Sequence, residues 1–400
     1  MKLLRKIKIL RIIARLNVGG PAIHSILLTS ALNNPKFETL LVCGYLSSGE
    51  GDMSYYAQEK GVSFQLIPRL KRELSLIDDF LAFKQIYSLI VKEKPDIVHT
   101  HTAKAGSLGR LAAIFYNFIP GHKKVSIVHT FHGHVLSGYF GWAKTKFFIL
   151  VEKFLARFTH QIITVSESVK GDLVRLGIAP KNKIRVIPLG FELDKFLGLP
   201  GRTNKDKFNV GIIGRLVAIK NHRLFLDAAS KVSYSSLNSD ISFKVIGDGE
   251  DRQDLENYAK KLGVKEIEFL GWRKNLPGLY SELDLVVLTS LNEGTPVSLI
   301  EAMASAKAVI STDVGGVRDL MGDEVKLGKV KNNEFRVFQR GILINSGDSD
   351  ALASAITFIL TEEELRHAMG ISGRVYVQKN FSKERLVKDI EDLYENLVLK

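Results

Sequence analysis

The 400-residue chain is longer than one hydrophobic core usually serves and fits two domains. Its single cysteine, Cys43, excludes an internal disulfide framework and suits a reducing cytoplasm, and no stretch approaches the roughly 18 apolar residues of a membrane span. Lys6, Lys8, Arg11 and Arg15 interrupt the apolar N-terminus, so neither a cleaved signal nor a membrane-crossing helix is expected. The net charge of +13 is unevenly placed: residues 1–190 hold 27 Lys and Arg against 12 Asp and Glu, and residues 191–400 hold 29 against 31. A one-sided surplus points to an anionic partner for the first half. No recognition motif or basic-aromatic repeat supports nucleic acid. Membrane phospholipid or a lipid-linked diphosphate fits better, beside a charge bias with no partner.

In chain order, short apolar runs alternate with helical stretches, the sign of a doubly wound parallel sheet. IKILRIIA, ETLLVCG, DIVHT, VSIVHT, QIITVS and IRVIP read as strands, and residues 22–32, 78–93, 104–117, 143–158 and 167–176 as helices. Asp78 and Ser166 are candidate N-caps. Pro188, Gly190, Gly198, Pro200 and Gly201 concentrate in residues 188–207, which read as the interdomain linker. The second half repeats the scheme with NVGIIG, SFKVIG, EIEFLG, DLVVLTS, AVIST and GILIN. A β-hairpin is expected in the basic, polar stretch 323–340. A last helix near 382–397 carries an apolar stripe at Leu386, Ile390, Leu393 and Leu397.

Ligands of such sheets sit at the carboxyl ends of the strands, and most of the chemistry-bearing residues follow strands. Gly19 and Gly20 follow the first strand; without side chains they let a phosphate or sugar approach the backbone, though a double glycine is also an ordinary turn. HTHTAKAGSLGR enters a helix near Ala103. Lys104 and Arg110 are not on one face of it, and Lys104, nearest the helix start, is the better binding candidate. The three histidines of HTFHGH could suggest zinc, but H-x2-H-x-H without cysteine or carboxylate is poor metal spacing. In GWAKTKFFILVEKFLARF aromatics mix with Lys144, Lys146, Lys153 and Arg157, as in a helix that lies on a membrane, but Phe147, Leu150, Val151, Phe154 and Phe158 fall at core spacing and read as a buried face. Any membrane contact would then come from Leu136–Trp142.

In GIIGRLVAIKN, Gly214 ends a strand and Arg215 and Lys220 follow at the corner, where a planar fork and a point charge could together neutralise a diphosphate. In EGTPVSLIE, Glu293 lies in a loop and Glu301 on the helix that starts at about Pro296. Between them, after the loop residue Gly294, Thr295, Val297 and Ser298 leave backbone N–H groups free at a positive helix end. A carboxylate accepts two hydroxyl hydrogen bonds at once, as a sugar or ribose diol requires. Alone, each of these motifs also reads as a solvated charged surface.

Together, GRLVAIK and EGTPVSLIE resemble the C-terminal half of the retaining glycosyltransferases of family 4. The resemblance extends through LNVGGPAIH, HTHTAKAGSLGR, HTFHGH, TVSESVKGDL, VIPLGFELDKF and VGGVRDLM, over nearly the whole chain. It is nearest to the capsule, exopolysaccharide and O-antigen enzymes of bacteria. It implies an α/β GT-B fold of two facing Rossmann-like domains whose motifs line one cleft. The first domain, residues 1–190, would bind acceptor, the second, 191–378, the nucleotide sugar, and 379–400 would form a crossover helix returning to the first. The 323–340 stretch departs from the family's usual short loop. The implied activity is transfer of a sugar, with retention, from a nucleoside-diphosphate sugar, expected to be a UDP-sugar, to a lipid-linked saccharide. The Gly19–Gly20 loop would lie near the donor diphosphate, and His132 beside the transferred sugar. Arg215 and Lys220 would stabilise the departing diphosphate, Glu301 bind the ribose, and Glu293 the donor sugar hydroxyls. Lys104 and His24 are the acceptor candidates. No metal or other cofactor is implied, and the expected location is peripheral, at the cytoplasmic face of an anionic membrane. A nucleotide-sugar epimerase or a catalytically silent binding protein of the same architecture are the alternatives.

Overall fold

A computed structural model describes residues 5–46, 51–71, 73–133, 141–199, 207–233, 241–273, 275–327 and 335–398. The chain divides into two compact units, Met1–Phe191 with Lys383–Lys400, and Glu192–Ser382.

The first unit contains β1 (Ile7–Ile13), α1 (Gly20–Ala31), β2 (Phe37–Cys43), α2 (Ser54–Glu59), β3 (Phe64–Leu66), α3 (Leu76–Glu93), β4 (Ile97–His101), α4 (Ala103–Phe118), β5 (Ser126–Phe131), α5 (Trp142–Phe158), β6 (Gln161–Thr164), α6 (Glu167–Arg175) and β7 (Ile184–Val186). Its strands pair in parallel in the order β3-β2-β1-β4-β5-β6-β7. Successive side chains of a strand point to opposite faces. Leu10, Val98 and Ile127 therefore pack against α3, α4 and α5, whereas Ile9, Ile97 and Val128 pack on the opposite face. That opposite face is covered by α1 and by the last helix of the chain, Lys383–Val398, through Leu386, Ile390, Leu393 and Tyr394. Arg385 fixes the start of this helix by donating to the carbonyls of Pro188 and Leu189 at 2.7 and 2.6 Å.

The second unit contains β8 (Phe208–Ile213), α7 (His222–Ser233), β9 (Ile241–Ile246), α8 (Arg252–Leu262), β10 (Ile267–Gly271), α9 (Leu276–Glu282), β11 (Leu285–Leu288), α10 (Val297–Ala304), β12 (Ala308–Thr312), α11 (Arg318–Met321), β13 (Arg336–Phe338), β14 (Gly341–Ile344), α12 (Ser349–Thr361) and α13 (Glu363–Asn380); the helix Lys383–Val398 is α14. The strand order is β10-β9-β8-β11-β12-β14-β13, parallel except for the β13–β14 pair. Each sheet reverses its winding once, between β1 and β4 and between β8 and β11. At such switch points the strand-end loops diverge and leave a crevice for ligand.

Several expectations are corrected. Ser75, not Asp78, caps α3: its hydroxyl accepts from the Asp78 N–H at 3.2 Å, while the Asp78 carboxylate holds Arg69 and Lys71. Ser166 does cap α6, accepting from Val169 N at 3.2 Å. Pro296 is the N-cap of α10, so the helix begins one residue later than expected. The hairpin expected within 323–340 pairs β13 with β14 beyond it, and Val325 N adds a bond to the Val337 carbonyl. Residues 188–199 are folded, with Leu193 and Phe196 buried, and the chain divides after Phe191; linker residues 200–206 lie outside the described residues.

The largest correction is α5. Its Phe147, Leu150 and Phe154 are 61%, 66% and 53% exposed rather than buried. The inward face is Glu152, Leu155 and Ala156, with Phe148 and Ile149 packed beside them. The two oxygens of Glu152 accept from the buried Arg110 of α4 at 2.9 and 2.7 Å. A buried guanidinium without its carboxylate would be strongly unfavourable, so this pair decides which side of α5 turns inward. Of the Leu136–Trp142 segment, residues 136–140 lie outside the described residues.

Candidate active site

In the second unit the loops after β8 and β11 meet at the switch point. The β8 loop runs through Gly214, Arg215 and a short 3-10 turn, Ala218–Lys220, to Asn221, whose φ is 48°. It is stitched to the β11 loop by Leu291 N, which donates to the Ile219 carbonyl at 2.9 Å. Thr289 Oγ1 also reaches the carbonyls of Lys220 and Asn221, both at 3.0 Å. On this frame Lys220 Nζ lies 2.5 Å from Glu293 Oε1, which also accepts from Ser290 Oγ at 2.6 Å. Arg215 is exposed, with no side-chain hydrogen bond or ion pair among the described residues. Gly315 of VGGVRDLM closes the loop from behind. A Cβ there would stand 1.9 Å from the Glu293 carbonyl oxygen, and its φ of 49° also favours glycine.

The loop Glu293–Pro296 leads into α10, where no side chain caps the first turn. The N–H groups at that end are therefore left without a capping side chain and carry partial positive charge, and Thr295 Oγ1 is buried without a partner among the described residues. Glu301 stands on the next turn. Its Oε2 accepts from the buried Tyr280 hydroxyl at 3.0 Å. Burial pushes the Glu301 carboxyl up to about 7, against the opposing effects of the Tyr280 hydrogen bond and Lys195. An exposed cation, an ion-paired lysine, an uncapped helix end and an enclosed carboxylate thus line one edge of this sheet. They suit a diphosphate beside a hydroxyl-rich ring.

In the first unit the corresponding edge is a layer of histidines. His99 and His101, two apart on β4, share a side of the strand with Arg11 of β1. One Arg11 nitrogen lies 3.2 Å from both His99 Nδ1 and His101 Nε2, and the other donates to Tyr394 Oη of α14 at 3.2 Å. A guanidinium only donates, so both ring nitrogens facing it must accept. His101 then carries its proton on Nδ1 and donates it to His132 Nε2 at 3.1 Å; His99 donates from Nε2 to Thr130 Oγ1 at 2.7 Å. Burial, with Arg11 and neighbouring histidines adding to it, holds His99 and His101 well below the usual imidazole range. Burial also lowers His132 to about 3. The neutral His132 therefore keeps its proton on Nδ1, which has no partner among the described residues.

Ring nitrogens of His24, His101 and His132 all lie within 4.8 Å of one another, a spacing one cation could bridge. Arg11 opposes it. A cation bound at His101 Nδ1 would displace the proton there, reverse the tautomer and turn an N–H towards the guanidinium.

The sequence-selected residues thus fall into two groups. Arg215, Lys220, Glu293 and Glu301 share the strand-end edge of the second sheet with Gly214, Gly294, Thr295, Pro296, Val297 and Ser298. In the first unit Gly19 is the N-cap of α1 with φ 156°, and Gly20 opens that helix. His24 is buried edge-on to His101 and His132, so it belongs to the histidine layer rather than to an exposed acceptor surface. Lys104 is paired with Asp79 at 2.5 Å and donates to the Glu73 carbonyl, joining α4 to α3. His129 is a core residue bonded to Thr100 Oγ1 at 2.8 Å, and His134 lies outside the described residues. Arg11, His99, His101 and Tyr394 are assigned no role in the site by the sequence reading. A lone arginine inside an apolar strand and a histidine pair at strand spacing were the available signals for three of them.

Residues 18–195 match the family model described as Glycosyltransferase Family 4, and residues 200–376 the one described as Glycosyl transferases group 1. Over 387 residues the chain is 31% identical to an Escherichia coli UDP-Gal:alpha-D-GlcNAc-diphosphoundecaprenol alpha-1,3-galactosyltransferase, covering 92% of this chain and 91% of that one. It is 27% identical to the Staphylococcus aureus capsular polysaccharide biosynthesis glycosyltransferase CapM, over 82% and 84% of the two chains. Among solved structures, Anabaena HepE in complex with UDP and glucose shares the fold, with TM-score 0.77 and 17% identity over 97% of this chain and 99% of that one. With two parallel-rich sheets, a GT-B fold and these relatives along its length, the chain belongs to the family 4 glycosyltransferases.

Proposed function

We propose that the protein transfers a sugar, with retention of configuration, from a UDP-sugar to a saccharide carried on a lipid diphosphate, in the assembly of a surface polysaccharide at the cytoplasmic face of the membrane. The observation that carries this reading is the strand-end edge of the second unit, with Arg215, the Lys220–Glu293 pair, the uncapped α10 and Glu301. Arg215, Lys220 and the α10 amides would stabilise the departing diphosphate, and Glu301 would hold the ribose diol. Charge-assisted contacts contribute about 1.5–3 kcal/mol each. Two expressed only in the transition state would give on the order of 10²–10⁴ in rate. Neither glutamate is offered as a nucleophile: Glu293 is held by Lys220 and Ser290, and Glu301 by Tyr280. That favours departure and attack on one face of the sugar. The UDP and lipid-diphosphate assignments draw on the relatives' substrates.

In this reading the cationic residues take the place of a metal at the leaving group. The test is turnover of a panel of UDP- and GDP-sugars in excess EDTA. Release of UDP from one UDP-sugar, undiminished by the chelator, supports the reading. An epimerised nucleotide sugar, or binding without turnover, would replace it with an epimerase or a silent binding protein, and loss of activity restored by Mg²⁺ or Mn²⁺ would overturn the metal-free account.

A further inference from the structure

We propose that the outer face of α5, with the adjoining C-terminal end of α4, is the surface by which the protein docks on an anionic phospholipid bilayer. This names the membrane contact of the reading above and rests on it. Trp142, Phe147, Leu150 and Phe154 run along the outside of α5, with Trp142 74% exposed. At the foot of the helix Phe158 joins the stripe to Phe118 of α4, with ring centroids 5.3 Å from Phe154 and 6.0 Å from Phe118. Phe118 itself is 68% exposed. Such a run of large apolar side chains in water marks a surface made to be covered.

Charge complementarity identifies the cover. Between Ala103 and Ser166 the sequence holds eight Lys and Arg and a single carboxylate residue, Glu152, which is buried against Arg110. Lys144, Lys146, Lys153 and Arg157 are exposed on α5 itself, and Lys146 Nζ sits 4.0 Å over the Trp142 ring. Below the stripe a cavity of about 360 Å³ has Ile114, Phe118 and Phe158 in its apolar wall and Arg157 and Lys183 as its basic groups, with His160, held below the usual imidazole range by burial and Lys183, beside them. Among the described residues no carboxylate lines it. Aromatic side chains in a helix face flanked by lysine and arginine suit the boundary between headgroups and acyl chains. In the cavity a lipid phosphate would meet the basic groups and its first methylenes the phenyl rings.

The test uses the full chain and vesicles of neutral phosphatidylcholine with or without phosphatidylglycerol. Wild type should sediment with the anionic vesicles and not with the neutral ones. The triple variant Phe147→Ser, Leu150→Ser, Phe154→Ser should lose at least tenfold in partition coefficient with its melting temperature unchanged. In a Trp272→Phe background Trp142 is the sole tryptophan; its emission should shift to the blue on anionic vesicles and be quenched by brominated acyl chains. Wild-type vesicle binding by the triple variant, or no response of Trp142, would overturn the assignment. So would a self-associated wild type that the triple substitution makes monomeric, which would make the face a contact between copies. UDP-sugar turnover in vesicle-free buffer should be the same in wild type and variant. Loss of docking with turnover intact condemns only the surface, whereas absence of turnover in both condemns the enzymatic reading.

Discussion

At the scale of single residues, Arg215 offers a clean probe. Its exposed side chain has no hydrogen-bond or ion-pair partner among the described residues, so Arg215→Ala should leave the melting temperature unchanged, as surface substitutions usually change stability by less than about 0.5 kcal/mol. Donor turnover should nonetheless fall at least tenfold. Lys220→Ala should do the same while leaving Glu293 to Ser290 alone. Wild-type turnover in both would remove them from the chemistry. Glu301 makes a pH-dependent prediction. Burial raises its carboxyl from an ordinary 4.5 to about 7, so the folded protein holds that proton more tightly than the unfolded chain. The resulting stabilisation is complete below pH 4.5 and is lost as pH rises through 7. Glu301→Gln keeps an acceptor for Tyr280 and carries no charge. It should melt above wild type at pH 8, match it near pH 4.5, and use donor poorly at both. Equal melting at pH 8 would mean that the carboxylate is not enclosed as described.

At the scale of elements, α5 shows where sequence reading runs out. Its aromatic run contains two helical stripes, one through Phe147, Leu150 and Phe154 and one through Phe148, Glu152 and Leu155, and periodicity alone cannot say which is inward. The choice is made by Arg110, forty-two residues earlier, and a pairing so distant leaves no local trace. Glu152→Ala should therefore cost about 3–5 kcal/mol by stranding a buried guanidinium, whereas Phe147→Ser should change stability little. Chemical denaturation separates them, and a neutral Glu152→Ala would refute the pairing as the cause of the helix's orientation. Most strands were legible because β-branched apolar runs bounded by turn residues have few other uses. The three-residue β3 was too short to show a pattern. Glu293, Lys220 and Arg215 could be picked although 73 residues separate Lys220 from Glu293, because each lies in a motif legible by itself, GIIGRLVAIKN or EGTPVSLIE. The tautomer-setting role of Arg11 could not, because it depends on β1, β4 and α14 coming together.

At the scale of the whole molecule, each unit brings a different chemistry to its strand ends. The second supplies cations, open amides and an enclosed carboxylate; the first supplies neutral histidines, an outward-turned aromatic helix and the surplus of positive over negative charge. This division fits an enzyme that takes a soluble anionic donor and a membrane-held acceptor. The most direct measurement is the transfer itself. The purified protein would be given UDP-galactose, the donor of its E. coli relative, other UDP-sugars in parallel, and a short-chain alkyl analogue of GlcNAc-diphosphate lipid, with the product's anomeric proton resolved by NMR. The account predicts release of UDP and a new glycosidic bond with the α configuration of the donor. A β-linked product would contradict retention, and failure to transfer from any UDP-sugar to a diphosphate-linked acceptor would contradict the proposed function.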